Sequence, residues 1–335
     1  MRVLYIGQYG AGSTSRMRGE NLKTLLAPTT FEVIDIDEPI RGTRQPFRSL
    51  GWRFNSGPLI GNIASFIRNR LEGTYDLVWV DKGIFLGANV LGEIRAGLKV
   101  HYTPDTAIVF NKSRLFNSCI PLYDYCITTK SFEIEAFKQK GAREVLFCTQ
   151  GYDARVHRPI DPPGKRNGAV FVGLCEPSRE EVLAKLIEKK VAVTLAGQNW
   201  DKFVARYRNN PSLSYIGKGV FGETYAALIS GSALGLGLLS KRFPERHTTR
   251  TLEIPACGTA LATERNEDTL SIFGEKEVFF YRDTRELVEG VPALLNDPQK
   301  LEKIARAGHQ RVTRGGYDYL SILRNLLRKM NVHAE

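Results

Sequence analysis

Two doubly wound α/β domains, each built on a parallel sheet, are the architecture this sequence predicts, and three observations predict it. Twelve short apolar runs alternate with amphipathic, helix-patterned segments along the 335 residues. The runs are apolar at successive positions, which suits strands covered by helices on both faces rather than a one-sided antiparallel sheet. Their count restarts after "RPIDPPGKRNG" (158–168), a polar stretch rich in proline and glycine that reads as a linker between two similar halves.

The first half opens with "RVLYIG" (2–7), a buried strand, followed by a helix near 15–26. The turn between them, "GQYGAGSTSR" (7–16), brings backbone N–H groups close to a helix start, where a phosphate can bind. Gly10 and Gly12 permit that approach, but a dinucleotide-binding G-x-G-x-x-G would place its third glycine where Ser15 stands. Asp35 and Asp37 at the end of "FEVIDI" (31–36) offer a ribose-binding acid and keep an oxidoreductase reading open. A tight turn with Ser13 or Thr14 capping the helix is the other reading. Arg16 and Arg18 sit just inside the helix, opposing its dipole, and a bound anion would account for them. Further strands are "YDLVWV" (75–80), "LKVHYT" (98–103), "YDYCITT" (123–129) and "EVLFC" (144–148).

The second half supplies "AVFVG" (169–173), "VAVTLAG" (191–197), "LSYIG" (213–217), "ALGLGLL" (233–239), "TALAT" (259–263) and "VFFY" (278–281). Gly235 and Gly237 allow either a ligand or a packed neighbour to approach their strand closely. A last helix, about 316–331, follows all the strands and is expected to fold back across the first domain. The expected division is therefore 1–155, joined by the C-terminal helix within 316–335, and 165–315. Ligands of such sheets bind at the carboxyl ends of the strands, so the expected site is a central cleft faced by both domains.

Bulk composition narrows the partners. Lys and Arg total 47 against 36 Asp and Glu, a net charge of +11 that favours anionic partners. No aromatic-interleaved basic patch appears, which argues against nucleic acid. "RNLLRKM" (324–330) permits loose contact with an anionic membrane. The five cysteines are scattered with no C-x-x-C pair, as expected of reduced thiols in the cytoplasm, with neither a disulfide frame nor a zinc site. No apolar run is long enough to span a bilayer, and "MRVLYIGQYG" does not read as a signal peptide. The expected location is the cytoplasm, with peripheral attachment to the inner face of the membrane as an option.

The densest chemistry is "ERHTTRTLEIPACGTALA" (245–262). A helix is expected to begin near Thr249, with Pro255 bending it or ending it early. Backbone donors around 249–252, flanked by Thr248, Thr249 and Arg250, would then bind a diphosphate without a metal. Glu253 completes no capping box because position 250 is Arg, which leaves its carboxylate for ribose hydroxyls. A solvated helix start with a local Glu–Arg pair is the alternative.

The run "HTTRTLEIPACGTALATER" with the preceding "ALGLGLL" resembles the donor-site signature of the CgeB-like glycosyltransferases of group 1. The likeness extends to "YTPD" (102–105), "DYCITTKSFEIEAFKQKGAREVLFCTQGYDARVHRP" (124–159) and "VFVGLCEPSREEVLAKL" (170–186). It implies a GT-B fold of two Rossmann-like domains and a nucleotide-sugar donor held mostly by the second. It also implies no cofactor and no metal, the nucleoside-diphosphate sugar being a co-substrate, and a retaining outcome. The acceptor is a glycan, a lipid-linked sugar or a small molecule. In related enzymes two glutamates with seven residues between them line the donor pocket; Glu253 matches the second, which grips the ribose, and Glu245 has the spacing of the first. The resemblance also implies that backbone near Val220 meets the nucleobase.

Glycosyl transfer passes through an oxocarbenium-like state while a diphosphate leaves, so cations and N–H groups are required at the diphosphate. Arg250, Arg179 and the donors near 248–251 are assigned that work, with Lys241 and Arg242 as further phosphate partners. Asp105 is the leading acceptor-side acid or base and His101 the second, while His247 is placed to face the sugar. A nucleotide-sugar epimerase, an NAD(P)-dependent oxidoreductase and a non-catalytic sugar- or nucleotide-binding protein remain alternatives.

Overall fold

The structure, a computed structural model, describes residues 1–110, 113–161 and 166–333; residues 162–165 of the expected linker lie outside the described residues. The chain forms two compact units, one of Met1–Thr149 with Tyr319–Glu335 and one of Gln150–Asp318. All twelve expected strands are present, each within a few residues of its predicted bounds.

The first unit carries six parallel strands, β1 (Arg2–Gly7), β2 (Thr30–Asp35), β3 (Thr74–Asp81), β4 (Arg95–Thr103), β5 (Tyr125–Thr128) and β6 (Glu144–Phe147). Their order is β2-β1-β3-β4-β5-β6, so the chain reverses direction across the sheet between β1 and β3. Successive side chains serve opposite layers. Leu4, Ile6, Val78 and Val80 pack with Leu59, Ile63 and Ile67 of the helix Pro58–Arg68. Val3, Tyr5, Leu77 and Trp79 pack with Leu22 and Leu25 of the helix Thr14–Leu26, and with Leu323 and Leu327 of the last helix, Tyr319–Lys329. That alternation is why the strand runs show no polar face in the sequence.

A buried ion pair lies within this second layer. Arg18 donates to Asp81 at the end of β3 through Nε at 2.7 Å and Nη2 at 2.9 Å, with both side chains almost fully buried. Its guanidinium also lies 4.8 Å from the Tyr102 ring centroid and 5.5 Å from that of Tyr319. Burial disfavours the charge, yet Asp81 outweighs it and holds Arg18 well above its ordinary pKa. The anion that Arg18 answers is therefore Asp81, and the expected bound anion is not needed to explain it.

The second unit carries β7 (Asn167–Val172), β8 (Val193–Ala196), β9 (Leu213–Gly217), β10 (Ser232–Gly237), β11 (Ala260–Glu264) and β12 (Phe279–Tyr281). Their order, β12-β11-β10-β7-β8-β9, is that of a dinucleotide-binding sheet, with its reversal between β7 and β10. A β-carbon on Gly235 would come within 2.5 Å of Ile254, so this glycine serves the packing of the helix Arg250–Ala256 onto β10 rather than a ligand. That helix contains Pro255 and stops one residue later, as the proline predicts.

Candidate functional site

At the reversal of the second sheet, the turn after β7 and the long loop after β10 converge. The turn leads into the helix Pro177–Glu188, whose third residue is Arg179. Glu176, which precedes that helix, accepts from Ser240 Oγ at 2.8 Å and faces Arg179 Nη1 at 3.1 Å. Glu245 Oε2 accepts from the Ser240 backbone N–H at 2.9 Å and lies 3.8 Å from Arg179 Nη2. Arg179 thus bridges the two loops through a pair of carboxylates. Glu245, which has the spacing of the first donor-pocket glutamate, ties the loop to Arg179 here.

Arg250 is different. Its guanidinium carbon stands 5.6 Å from the centroid of Phe171 on β7, and that of Arg179 stands 5.7 Å from the same ring. Its Nη1 lies 3.4 Å from where a β-carbon on Gly173 would be, over the glycine turn that follows β7. Among the described residues Arg250 makes no ion pair, and its buried Nε has no hydrogen-bond partner. Burial, with the like charges of Arg250 and Arg242 set against Glu176 and Glu245, pulls the Arg179 guanidinium below its ordinary pKa. Three arginines facing two acids make a place for an added anion. The buried Thr248 Oγ1 is a further polar atom with no partner. Lys241 is spoken for by Glu264 at 2.5 Å, whereas Arg242 is exposed.

The backbone donors are fewer than expected. Thr248 N–H is taken by Thr251 Oγ1, Thr251 N–H by Thr248 O, and Leu252 N–H by Thr249 O. Thr249 stands at the cap position with its own side chain making no cap bond. At this helix start the buried polar side-chain atoms that lack a partner among the described residues are Arg250 Nε and Thr248 Oγ1.

Glu253 is buried, and its carboxylate is not free as the sequence suggested. Tyr225 donates to Oε2 at 3.0 Å, and His157 Nε2 lies 3.6 Å from Oε1. Since the Asp153 N–H donates to His157 Nδ1 at 3.1 Å, the His157 proton sits on Nε2 and faces the carboxylate. Two partners still leave a carboxylate lone pairs for a ligand hydroxyl. His247, expected to face the sugar, is a structural tie instead. Its Nε2 accepts from the Gln150 N–H at 3.0 Å, so Nδ1 carries the proton and donates to Asp268 at 2.9 Å. The Val220 side chain joins the core, which leaves its backbone as the part that can meet a base, and the exposed aromatic of that loop is Phe221.

In the first unit, Gly10 and Gly12 lie in the turn after β1, with Gly12 at φ 78°. Ser13 caps the following helix by accepting from the Ser15 N–H. Asp35 Oδ1 accepts from the backbone N–H groups of both Tyr9 and Asp37, each at 3.0 Å, so it secures the turn itself and is not a free ribose acid. Asp105 follows β4, is exposed, and pairs with Lys82 at 3.0 Å. Desolvation raises the Asp105 carboxyl, but Lys82, with Lys130 and Arg18, outweighs it and holds the pKa below its usual value. His101 is fully buried among Phe116, Tyr123 and Phe137, and burial lowers its pKa to about 4. Neutral, it meets the carbonyl of Lys82 at 3.0 Å. His101 is a core residue that supports Lys82, not a second acid or base.

Glu176, Ser240, Tyr225 and His157 were not singled out from the sequence. Only Glu176 left a signal there, its i, i+3 spacing to Arg179 on a helix start. A cavity of about 250 Å³ opens at the carboxyl ends of β10 to β12, lined by Arg179, Leu238, Lys241, Glu264 and Tyr281 among others. A larger cavity, about 780 Å³, lies at the opposite ends of the strands beside Arg166, Leu301 and His309, and contains none of the site residues. Ligands of doubly wound sheets bind at the carboxyl ends, so the smaller cavity marks the relevant edge. Among the described residues, no group of three or more His, Cys, Asp or Glu is placed to hold a metal ion.

Residues 179–328 match the family model described as Glycosyl transferase-like, a span that begins at Arg179 and includes the whole loop and helix around Arg250. No curated protein matches the chain in sequence. Among solved structures, HepE of Anabaena in complex with UDP and glucose is similar at a TM-score of 0.68 and 17% identity, covering 99% of both chains. Sucrose-phosphate synthase from Thermosynechococcus elongatus gives 0.70 at 12% identity, covering 99% of both. The UDP-forming alpha,alpha-trehalose-phosphate synthase from Burkholderia xenovorans, in complex with glucose-6-phosphate, gives 0.65 at 11% identity, covering 99% of this chain and 100% of that one. The fold is thus that of GT-B glycosyltransferases, two parallel-sheet α/β domains of six strands each, and with the family match it supports a transferase.

Proposed function

We propose that this protein transfers a sugar from a nucleoside-diphosphate sugar, a UDP-sugar first among them, to an acceptor hydroxyl, without a metal and with retention at the anomeric carbon. The observation that carries the proposal is Arg250, a cation without an ion pair among the described residues, at the reversal point of the second sheet and within the span that matches the glycosyl transferase-like model. As the glycosidic bond breaks, negative charge grows on the departing diphosphate. Arg250, with Arg179 and Arg242 nearby and the Thr248 hydroxyl, is placed to receive it, and a preformed cation there lowers the barrier most where charge develops. These guanidiniums supply the positive charge a metal would otherwise bring. Glu253, oriented by Tyr225 and His157, takes the ribose hydroxyls. Asp105 with Lys82 handles the acceptor hydroxyl, which belongs to a glycan, a lipid-linked sugar or a small molecule. Membership of the CgeB-like subfamily and peripheral attachment to a membrane are part of the same reading. Among the described residues no helix is long and apolar enough to cross a membrane.

The test is calorimetric binding of UDP, GDP, dTDP, ADP, CMP, NAD and NADP without added metal. Tight binding of one nucleoside diphosphate, weakened by Glu253→Ala, is the expected result. Binding of NAD or NADP alone, unchanged by that substitution, would move the site to the Gly10–Gly12 turn and end the transferase reading. The anomeric configuration of the product, read by NMR, tests retention separately.

A further inference from the structure

The apolar side chains exposed on the first unit are concentrated on one short segment. On the helix Phe47–Phe54, Phe47 is 47% exposed, Leu50 46%, Trp52 50% and Phe54 60%. Phe47, Leu50 and Phe54 follow the i, i+3, i+7 spacing of a single helical stripe, with Arg48 and Arg53 on its two flanks. The helix is anchored to the unit: Gly51 has room for no side chain, since a β-carbon there would stand 2.4 Å from Leu59, and the rings of Trp52 and Phe85 meet edge to face with centroids 4.6 Å apart. Phe85 lies in the loop after β3, so the stripe sits at the carboxyl edge of the first sheet. Val109 and Phe110, also exposed, belong to the loop after β4 at that same edge.

The charge around the stripe has one sign. From Pro39 to Leu71 the chain has no acidic residue and six arginines. Arg41, Arg68 and Arg70 pair with Asp35, Glu93 and Glu38. Arg44, Arg48 and Arg53 make no ion pair among the described residues; Arg48 meets only the amide of Gln45.

We propose that residues 44–54 dock this protein onto a bilayer surface with anionic headgroups. Aromatic and leucine side chains between flanking arginines suit that boundary, where the rings enter the acyl margin while the guanidiniums stay level with the phosphates. The C-terminal basic helix is a poorer candidate, because Leu323, Leu326 and Leu327 are spent in the core and leave only charge outside. The proposal deepens the peripheral attachment suggested above and is independent of the transferase chemistry, since vesicle binding is read without donor or acceptor.

The test uses the full chain with vesicles of phosphatidylcholine alone and of phosphatidylcholine mixed with phosphatidylglycerol. Trp79 and Trp200 are fully buried, so a blue shift on vesicle binding and quenching by brominated lipid report Trp52. Binding to the anionic vesicles that weakens with salt is expected. The triple change R44Q/R48Q/R53Q should lower partitioning on the order of 100-fold. The double change Trp52→Ser with Phe54→Ser should abolish insertion, with melting temperature as the control for folding. No binding to anionic vesicles, or binding that survives both sets of changes, would overturn the proposal. So would a concentration-dependent dimer in light scattering that the Phe54 change dissolves, since the stripe would then serve a second copy.

Discussion

Arg250 is the place to press the reading hardest, because its removal should affect folding and binding in different ways. Its guanidinium and that of Arg179 lie 5.6 and 5.7 Å from one ring centroid, so they are no more than about 11 Å apart. At an effective dielectric constant near 20, two like charges at that distance repel by about 1.5 kcal/mol, and salt screening reduces this to about 0.5 kcal/mol. Arg250→Ala relieves that repulsion and forfeits a contact with Phe171 worth about 0.5–1 kcal/mol. The free protein should therefore melt within about 3 °C of wild type. Nucleotide binding should not be spared. A hydrogen bond to a charged group contributes about 1.5–3 kcal/mol, so the affinity for UDP should fall roughly 10- to 150-fold. Calorimetry and a melting curve on the same preparation decide the matter. Undiminished UDP affinity with unchanged stability would remove Arg250 from the diphosphate site and refute the argument from its missing partner.

Three further outcomes are expected. If Glu253 grips the ribose, wild type should prefer UDP over 2′-deoxy-UDP by about tenfold or more, and Glu253→Ala should erase the preference; equal discrimination in both proteins would place the ribose elsewhere. Asp81→Asn leaves the Arg18 guanidinium buried without its counter-charge and should cost about 3–5 kcal/mol in urea denaturation, much of it recovered when Arg18→Leu is added; a loss under about 1 kcal/mol would contradict the buried pair. His101 has its pKa lowered to about 4 in the folded protein, so the unfolded chain takes up its proton first as pH falls. Stability from this group is complete above pH ~6.5 and declines toward pH ~4, by about 2 kcal/mol at pH ~5. His101→Gln keeps a donor for Lys82 and should flatten that pH dependence; an unaltered slope would assign it to other groups.

The strands were legible because burial on both faces of a parallel sheet writes uninterrupted apolar runs, as in "RVLYIG" and "YDLVWV". Arg250 and Glu253 were legible as residue types beside a helix start. What the sequence could not convey was which polar groups had already found partners within the chain. Arg18 and a ligand-binding arginine look alike until Asp81, sixty-three positions away, is seen beside it. His247 and His101 failed as chemistry for the same reason: Gln150 with Asp268 occupies the first, and an aromatic core neutralises the second. Glu245 had the right spacing to Glu253, but spacing along a loop does not fix direction, and Ser240 turned it inward.

The return of the last helix to the first unit bears on how the molecule is made. A ribosome releases the chain from its amino end, so residues 150–318 are synthesised complete before Tyr319 and its helix emerge. Until then Leu22, Leu25, Trp79 and the buried Arg18 lack the layer that Tyr319, Leu323 and Leu327 provide. The second unit has all of its residues before that helix is made, whereas the first, though begun earlier, must wait for Tyr319–Lys329. A stop codon just before Tyr319 would thus spare the younger half and strand the older one.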